Sequence, residues 1–199
     1  VLLFANNIKQ YTLTVGTGTS GIIWTTKTGK IVEVVYVVSG NNTPLAVART
    51  GSGTSLSPYI VTVTVATNGS AVATSTALQV KTAADLVSNV TDILTVALVS
   101  TGGGVVSALA STPLALDTVK SKAGVYRTFT TLSAMLDIYT VDDPEYKMAS
   151  SLLANTRKPA RFKVYSKESA DAITATLASL VQSYNDWYYL VYDSEAKAD

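Results

Sequence analysis

The hydrophobic period of this chain changes once along its length, and that change limits the folds open to it. Up to about residue 118 the apolar residues come in short β-branched runs separated by turn signals. These are "YTLTV" from Tyr11, "GIIWTTKT" from Gly21, "KIVEVVYVV" from Lys30, "PLAVART" from Pro44 and "YIVTVTVAT" from Tyr59. The last alternates cleanly, with Val61, Val63 and Val65 on one side and Ile60, Thr62 and Thr64 on the other, as a half-buried strand does. "SGNNTP" and "TNGS" between the runs carry loop and turn chemistry. One helix interrupts the strands near residues 75–89, where Ala77, Val80, Ala84 and Val87 fall on one stripe behind a Ser75 or Thr76 cap. "ILTVALVS" and "GVVSALAS" then predict two further strands around Gly102, Gly103 and Gly104.

From about residue 119 helices and strands alternate. "DDPEYKMASSLLAN" predicts a helix start, with Asp143 as N-cap, Pro144 at the first helical position and Glu145 in the first turn. Its apolar stripe is Tyr146, Ala149, Leu152 and Leu153. "ARFKVYS" reads as a strand, "SADAITATLASLVQSY" as a helix with Ile173, Leu177, Leu180 and Val181 inward, and "DWYYLVYD" as a second strand. In that last run Trp187, Tyr189 and Val191 share one face and Tyr188, Leu190 and Tyr192 the other, so both faces are apolar. A strand of this kind belongs inside a parallel sheet, with Trp187 buried and Asp193 at the carboxyl edge where open α/β sheets hold ligands. The expected class is therefore α+β and α/β in one chain. A β-rich domain with one packed helix spans 1–118, and a βαβ-type unit of a larger mixed sheet spans 119–199.

Composition removes several function classes. The chain has no cysteine and no histidine, which excludes Cys/His zinc sites, disulfides, cysteine nucleophiles and Ser-His-Asp triads within it. A net charge of +1 gives no general attraction to nucleic acid or to an anionic membrane. No apolar stretch approaches the roughly 20 residues of a membrane span. The start at "VLLFANN" without Met and the stop at "SEAKAD" just after a strong strand predict a piece of a longer protein.

Four stretches invite a functional reading. "STGGGV" from Ser100 lacks the Gly-Lys-Ser/Thr ending of a phosphate loop and reads as a turn. Asp142, Asp143 and Glu145 form an acidic cluster whose simplest role is to stabilise the helix dipole. Arg157, Lys158, Arg161 and Lys163 form the one basic cluster, a solvated edge or a patch for acids on another subunit. Three matches to the glycosylation sequon, from Asn41, Asn68 and Asn89, carry little weight in a chain so rich in Asn, Ser and Thr.

Two longer stretches resemble a known family. "GNNTPLAVARTGSG", followed by "YIVTVTVATNGSAVATSTALQVKTAADLV" and "TVALVSTGGGVVSALASTPLAL", resembles a module that recurs in phage virion proteins, notably contractile tail sheaths. The stretch from "YRTFTTLSAMLDIY" to "DWYYLVYD" is similar to the sheath core pattern, through Pro144, Glu145, Tyr146, Ala149, Pro159, Phe162, Val164, Asp186, Trp187 and Tyr188. The resemblance implies a structural, non-enzymatic subunit that surrounds a tail tube protein and drives it through the host envelope on contraction. It implies no cofactor, no nucleic-acid partner and no membrane insertion. It also implies assembly with copies of itself in the virion tail, after a soluble stage in the host cytoplasm.

Arg157, Lys158, Arg161, Asp142, Asp143 and Glu145 are then candidates for contacts between subunits. Sheath proteins are longer and hold neighbours through terminal arms that this sequence lacks, so the expected state of this piece alone is monomeric. Three other readings stay open. One is another tail component, tube or baseplate. The second is a carbohydrate-binding adhesin presenting Trp24, Tyr36 and Tyr59 in an exposed row. The third is a small hydrolase using Asp142, Asp143 or Asp193, which needs two carboxylates about 5 to 9.5 Å apart in a cleft.

Overall fold

A computed structural model describes residues 1–168, 171–184, 186–187 and 189–192. Along the chain run strands β1 (Leu2–Asn6), β2 (Tyr11–Val15), β3 (Ile22–Thr26), β4 (Val32–Val37), β5 (Ala46–Thr50) and β6 (Tyr59–Thr64), then helices α1 (Ala77–Asp85) and α2 (Ser88–Thr91). Strands β7 (Leu94–Leu98), β8 (Leu109–Pro113), β9 (Ala115–Leu116) and β10 (Arg127–Phe129) follow. Helices α3 (Leu132–Met135) and α4 (Pro144–Leu153), strand β11 (Phe162–Lys167), helix α5 (Ile173–Ser183) and strand β12 (Leu190–Tyr192) complete the order. The fold is mixed α and β in two units, one of Tyr11–Leu116 and one of residues 1–10 together with those from Asp117 onward.

That division corrects the contiguous first domain expected over 1–118. Its far boundary lies where the hydrophobic period changes, but residues 1–10 pack with the second part of the chain. Four of the five residues of β1 are buried, so the strand needs cover on both faces. It finds that cover inside a parallel sheet, with Leu3 opposite Val164 of β11 on one side and Val191 of β12 on the other.

The unit of Tyr11–Leu116 holds two four-stranded sheets, β7-β3-β2-β9 and β5-β6-β4-β8, whose inward residues join one core. The alternation seen in the sequence decides which face turns in: Ile22 and Trp24 from β3, Val34 and Tyr36 from β4, Val61 and Val63 from β6. The Trp24 indole N–H donates to the Tyr36 hydroxyl at 3.1 Å, which satisfies a polar group that burial would otherwise leave unpaired. Helix α1 adds Ala77, Val80 and Ala84 to the same core. It starts with a capping box in which the Thr76 hydroxyl accepts from Gln79 N–H and the Gln79 side chain accepts from Thr76 N–H.

Two local expectations change in this unit. The strand read into "GVVSALAS" begins only at Leu109 and continues to Pro113, because Val105 makes an isolated bridge with Thr76. The "TNGS" turn is wider than a two-residue hairpin. Asn68 Oδ1 accepts from the backbone N–H of Ser70 and Val72, and the left-handed residue is Ala71, at φ 58°.

The other unit is one sheet, β10-β11-β1-β12, with helices on both faces. Alternation along β1 sorts its residues between the two sides. Leu3 joins Phe162, Val164, Ala149 of α4 and Met135 of α3, while Leu2 and Phe4 face Leu180 of α5. Strands β11 and β12 run parallel as expected, but β1 lies between them. The closing run is also corrected. Its strand covers only Leu190–Tyr192, Trp187 is half-buried with its indole N–H on the Tyr184 carbonyl, and Tyr189 is 72% exposed. Val181, expected inward, is exposed. Tyr188 and Asp193 lie outside the described residues.

Candidate functional site

In open α/β sheets, ligands gather beyond the carboxyl ends of parallel strands, and here those ends are Asn6, Lys167 and Tyr192. The chain places an unusual number of polar groups beside them. Glu145, in the first turn of α4, is 0% exposed. Its carboxylate accepts from Asn7 Nδ2 at 3.1 and 3.2 Å and from the Ser166 hydroxyl. Burial pushes the Glu145 carboxyl above the usual carboxylate range, against these hydrogen bonds, which favour its ionised form. Lys167 is also fully buried, and its ammonium donates to the Glu168 carbonyl at 3.0 Å. Lys9 pairs with Asp171 at 2.8 Å, and Lys9 N–H donates to the Glu168 carboxylate at 2.9 Å.

A second group sits at the start of α4. Asp143 is the N-cap residue, but its side chain makes no cap bond. It turns back to Thr140 N–H at 2.6 Å and pairs with Lys122 at 2.7 Å. Burial raises its pKa, but Lys122 and the Thr140 bonds outweigh burial and hold it below the ordinary value. Nearby, the Tyr139 hydroxyl donates to the Lys122 carbonyl at 3.3 Å. Burial first, then the Glu145 charge, keeps that phenol well above its usual range.

An open cleft of about 530 Å³ lies beside α5, lined by Gly124, Tyr126, Tyr165, Asp171, Leu180 and Tyr184. Tyr126 and Tyr184 stack at 4.1 Å and 11° between planes. The Tyr126 hydroxyl donates to Asp186 at 2.9 Å, and Asp186 pairs with Lys163, whose ammonium lies 5.1 Å from the Tyr126 ring centre. Desolvation, then Asp186, holds the Tyr126 phenol above its ordinary value. The ion pair with Lys163 and the Tyr126 bond depress the Asp186 carboxyl. Tyr126, Asp186 and Lys163 are thus bonded to one another beside this cleft.

The candidate residues read from the sequence meet different fates. Asp142 is exposed, Asp143 is paired with Lys122, and Glu145 is buried, which removes Glu145 from any subunit surface. Arg157, Lys158 and Arg161 stay exposed, whereas Lys163 is itself buried and leaves the basic cluster to pair with the exposed Asp186. The aromatic row of the adhesin reading does not form, because Trp24 and Tyr36 are core. "STGGGV" is a cap, not a cradle: the Gly102 and Gly104 carbonyls accept from Leu78 and Ala77 N–H and so occupy the first turn of α1.

Ser166 and Glu145 have the chemistry of a nucleophile and base, and both are fully enclosed. Among the described residues no group of acids could hold a metal ion, and no helix is long and apolar enough to cross a membrane. The Glu145 cluster was missed because Asn7 and Ser166 are far from it in sequence. The one local signal was a Glu two residues after the cap, which reads equally well as an exposed dipole partner. Compared with protein-family models, curated proteins and solved structures, the chain matches none of them.

Proposed function

We propose that this chain is a structural virion component, a piece of a contractile tail sheath subunit. One observation carries the reading: several of the residues that bear the sheath resemblance act as scaffold. Pro144 opens α4 at its first position, Ala149, Phe162 and Val164 lie together in the core, and Glu145 ties α4 to β1 and β11 through Asn7 and Ser166. An internally bonded α/β unit suits a subunit that moves as a body when a sheath shortens. Its partners on this reading are copies of itself and a tail tube protein. Exposed Arg157, Lys158 and Arg161 remain free to meet acids such as Asp142 of a neighbour.

Electron microscopy of the complete protein tests the proposal. Hollow, striated tubes are expected on expression alone. A protein that forms no tubes and instead hydrolyses a glycan would return the carboxylate enzyme to first place.

A further inference from the structure

Asn68 is the one asparagine of this chain that precedes a glycine. Its side-chain carbonyl oxygen accepts from the Ser70 N–H at 2.9 Å and from the Val72 N–H at 3.0 Å. Its main chain is held as well. The Asn68 N–H donates to the Val72 carbonyl, and the Asn68 carbonyl accepts from the N–H groups of Asn42 and Ala71, all at 3.0 Å. In contrast, no described residue accepts from the Gly69 N–H or from the Asn68 side-chain amide. Asn68, Gly69 and Ser70 are all exposed.

We propose that Asn68 is a self-modification site, where the folded turn converts the asparagine to aspartate and isoaspartate through a cyclic imide. The bond to Ser70 folds the side chain back over its own peptide, which brings Cγ to the Gly69 nitrogen. That nitrogen gives its proton to water and bonds to Asn68 Cγ, and negative charge gathers on Oδ1. The Ser70 and Val72 N–H groups already point there. Donors fixed in advance on a developing oxyanion are usually the largest single source of acceleration in acyl transfer. The Cγ–Nδ2 bond then breaks, and Nδ2 takes up a proton and leaves as ammonia. Water opens the imide at either carbonyl, so one ammonia is lost, one water is gained and no electron is exchanged. Glycine at position 69 leaves the attacking nitrogen open. Only the Asn42 side chain lies near the place a Cβ would take, at 3.7 Å.

The two products act differently on the fold. Aspartate keeps Oδ1 as an acceptor and adds one negative charge to a chain whose net charge is +1. Isoaspartate carries the main chain through Cβ and Cγ and turns the former main-chain carbonyl into a free carboxylate. That carbonyl receives the Asn42 N–H, next to the bonds from Thr43 N–H to Thr67 Oγ1 and from Thr67 Oγ1 to the Gly40 carbonyl. Isoaspartate therefore loosens residues 40–43 from the turn. The inference does not rest on the sheath reading, and the reaction needs only water.

Peptide mapping by mass spectrometry tests it, on the full chain kept folded or unfolded in urea at one mildly alkaline pH. Asn68 should convert roughly fivefold faster in the folded chain, because the turn holds nucleophile, electrophile and oxyanion donors together. Gly69→Ala adds a methyl that meets only ordinary contacts, so it should melt as the wild type does and lose most of the conversion. Hydroxylamine cleaves cyclic imides, and it should cut the folded wild type after Asn68 and leave Gly69→Ala whole. An equal or slower rate in the folded chain would overturn the proposal and show that the turn protects Asn68. Conversion of Gly69→Ala at the wild-type rate, with no cleavage by hydroxylamine, would overturn the imide route. Whether striated tubes form is read separately, so failure here and failure of the sheath reading are distinct results.

Discussion

At the scale of residues, Glu145 carries the most consequence. It is a fully buried carboxylate that joins the start of α4 to the residue after β1 and to β11. Glu145→Ala would leave Asn7 Nδ2 and the Ser166 hydroxyl without their partner. It should therefore destabilise the unit around it by about 1–3 kcal/mol, read from its denaturant midpoint, with the Tyr11–Leu116 unit unchanged. The pH dependence has a definite sign. Burial raises the folded pKa of Glu145 above its unfolded value, so the folded state favours the protonated acid. That contribution is complete below the unfolded value and is lost as pH rises through the folded one. Asp143 works the other way: its depressed pKa gives stability that is present above its unfolded value and is lost on acidification. Thermal stability followed upward from the ordinary glutamate value should fall in the wild type and stay flatter in Glu145→Gln. Identical slopes would mean that the carboxyl titrates alike in the folded and the unfolded chain, which would contradict the raised folded value. Trp187 shows the limit of reasoning from residue type. A Trp after a helix, on an apolar run, reads as core, yet it is half-buried with its N–H on the Tyr184 carbonyl.

At the scale of elements, local rules act independently and can be tested one at a time. Helix α1 is held at its start by two devices, the Thr76–Gln79 box and the Gly102 and Gly104 carbonyls. Thr76→Ala should lower the stability of that unit by about 1 kcal/mol, seen as a shifted denaturant midpoint with an unchanged slope. No shift would show that the glycine carbonyls alone hold the helix start. The same locality explains what the sequence disclosed. Pro144 marks the start of α4, and the Val61, Val63 and Val65 alternation gives the inward face of β6, because both signals lie within a few residues. Whether "VLLFANN" is a strand of the first or the second unit depends on pairing with Val164 and Val191, far along the chain, and no local pattern encodes that. The Glu145 site was hidden for the same reason, since its partners Asn7 and Ser166 are equally distant in sequence.

At the scale of the whole molecule, one unit is interrupted by the other within the chain. Residue 10 ends the first segment of the interrupted unit and Asp117 resumes it, and there Asp117 N–H donates to the Gln10 carbonyl at 2.8 Å. Within the inserted unit the first and last residues are likewise partners, with Tyr11 opposite Leu116 in an antiparallel pair. Each unit thus has its own core and its own adjacent ends, which is the condition for excising one without unfolding the other. Joining Gln10 to Asp117 through a short Gly-Ser linker should give a folded α/β unit that keeps the Glu145 cluster and its pH dependence. Residues 11–116 expressed alone should fold with the α1 cap intact. The linker closes a gap already bridged by a hydrogen bond, so the entropy of closing it is small. Two separate cooperative transitions, each matching one phase of the intact chain, are the expected result. An unfolded Gln10–Asp117 fusion beside a folded 11–116 fragment would show that the interrupted unit depends on its insert, and would mean that β1 needs more than β11 and β12 to hold it in the sheet.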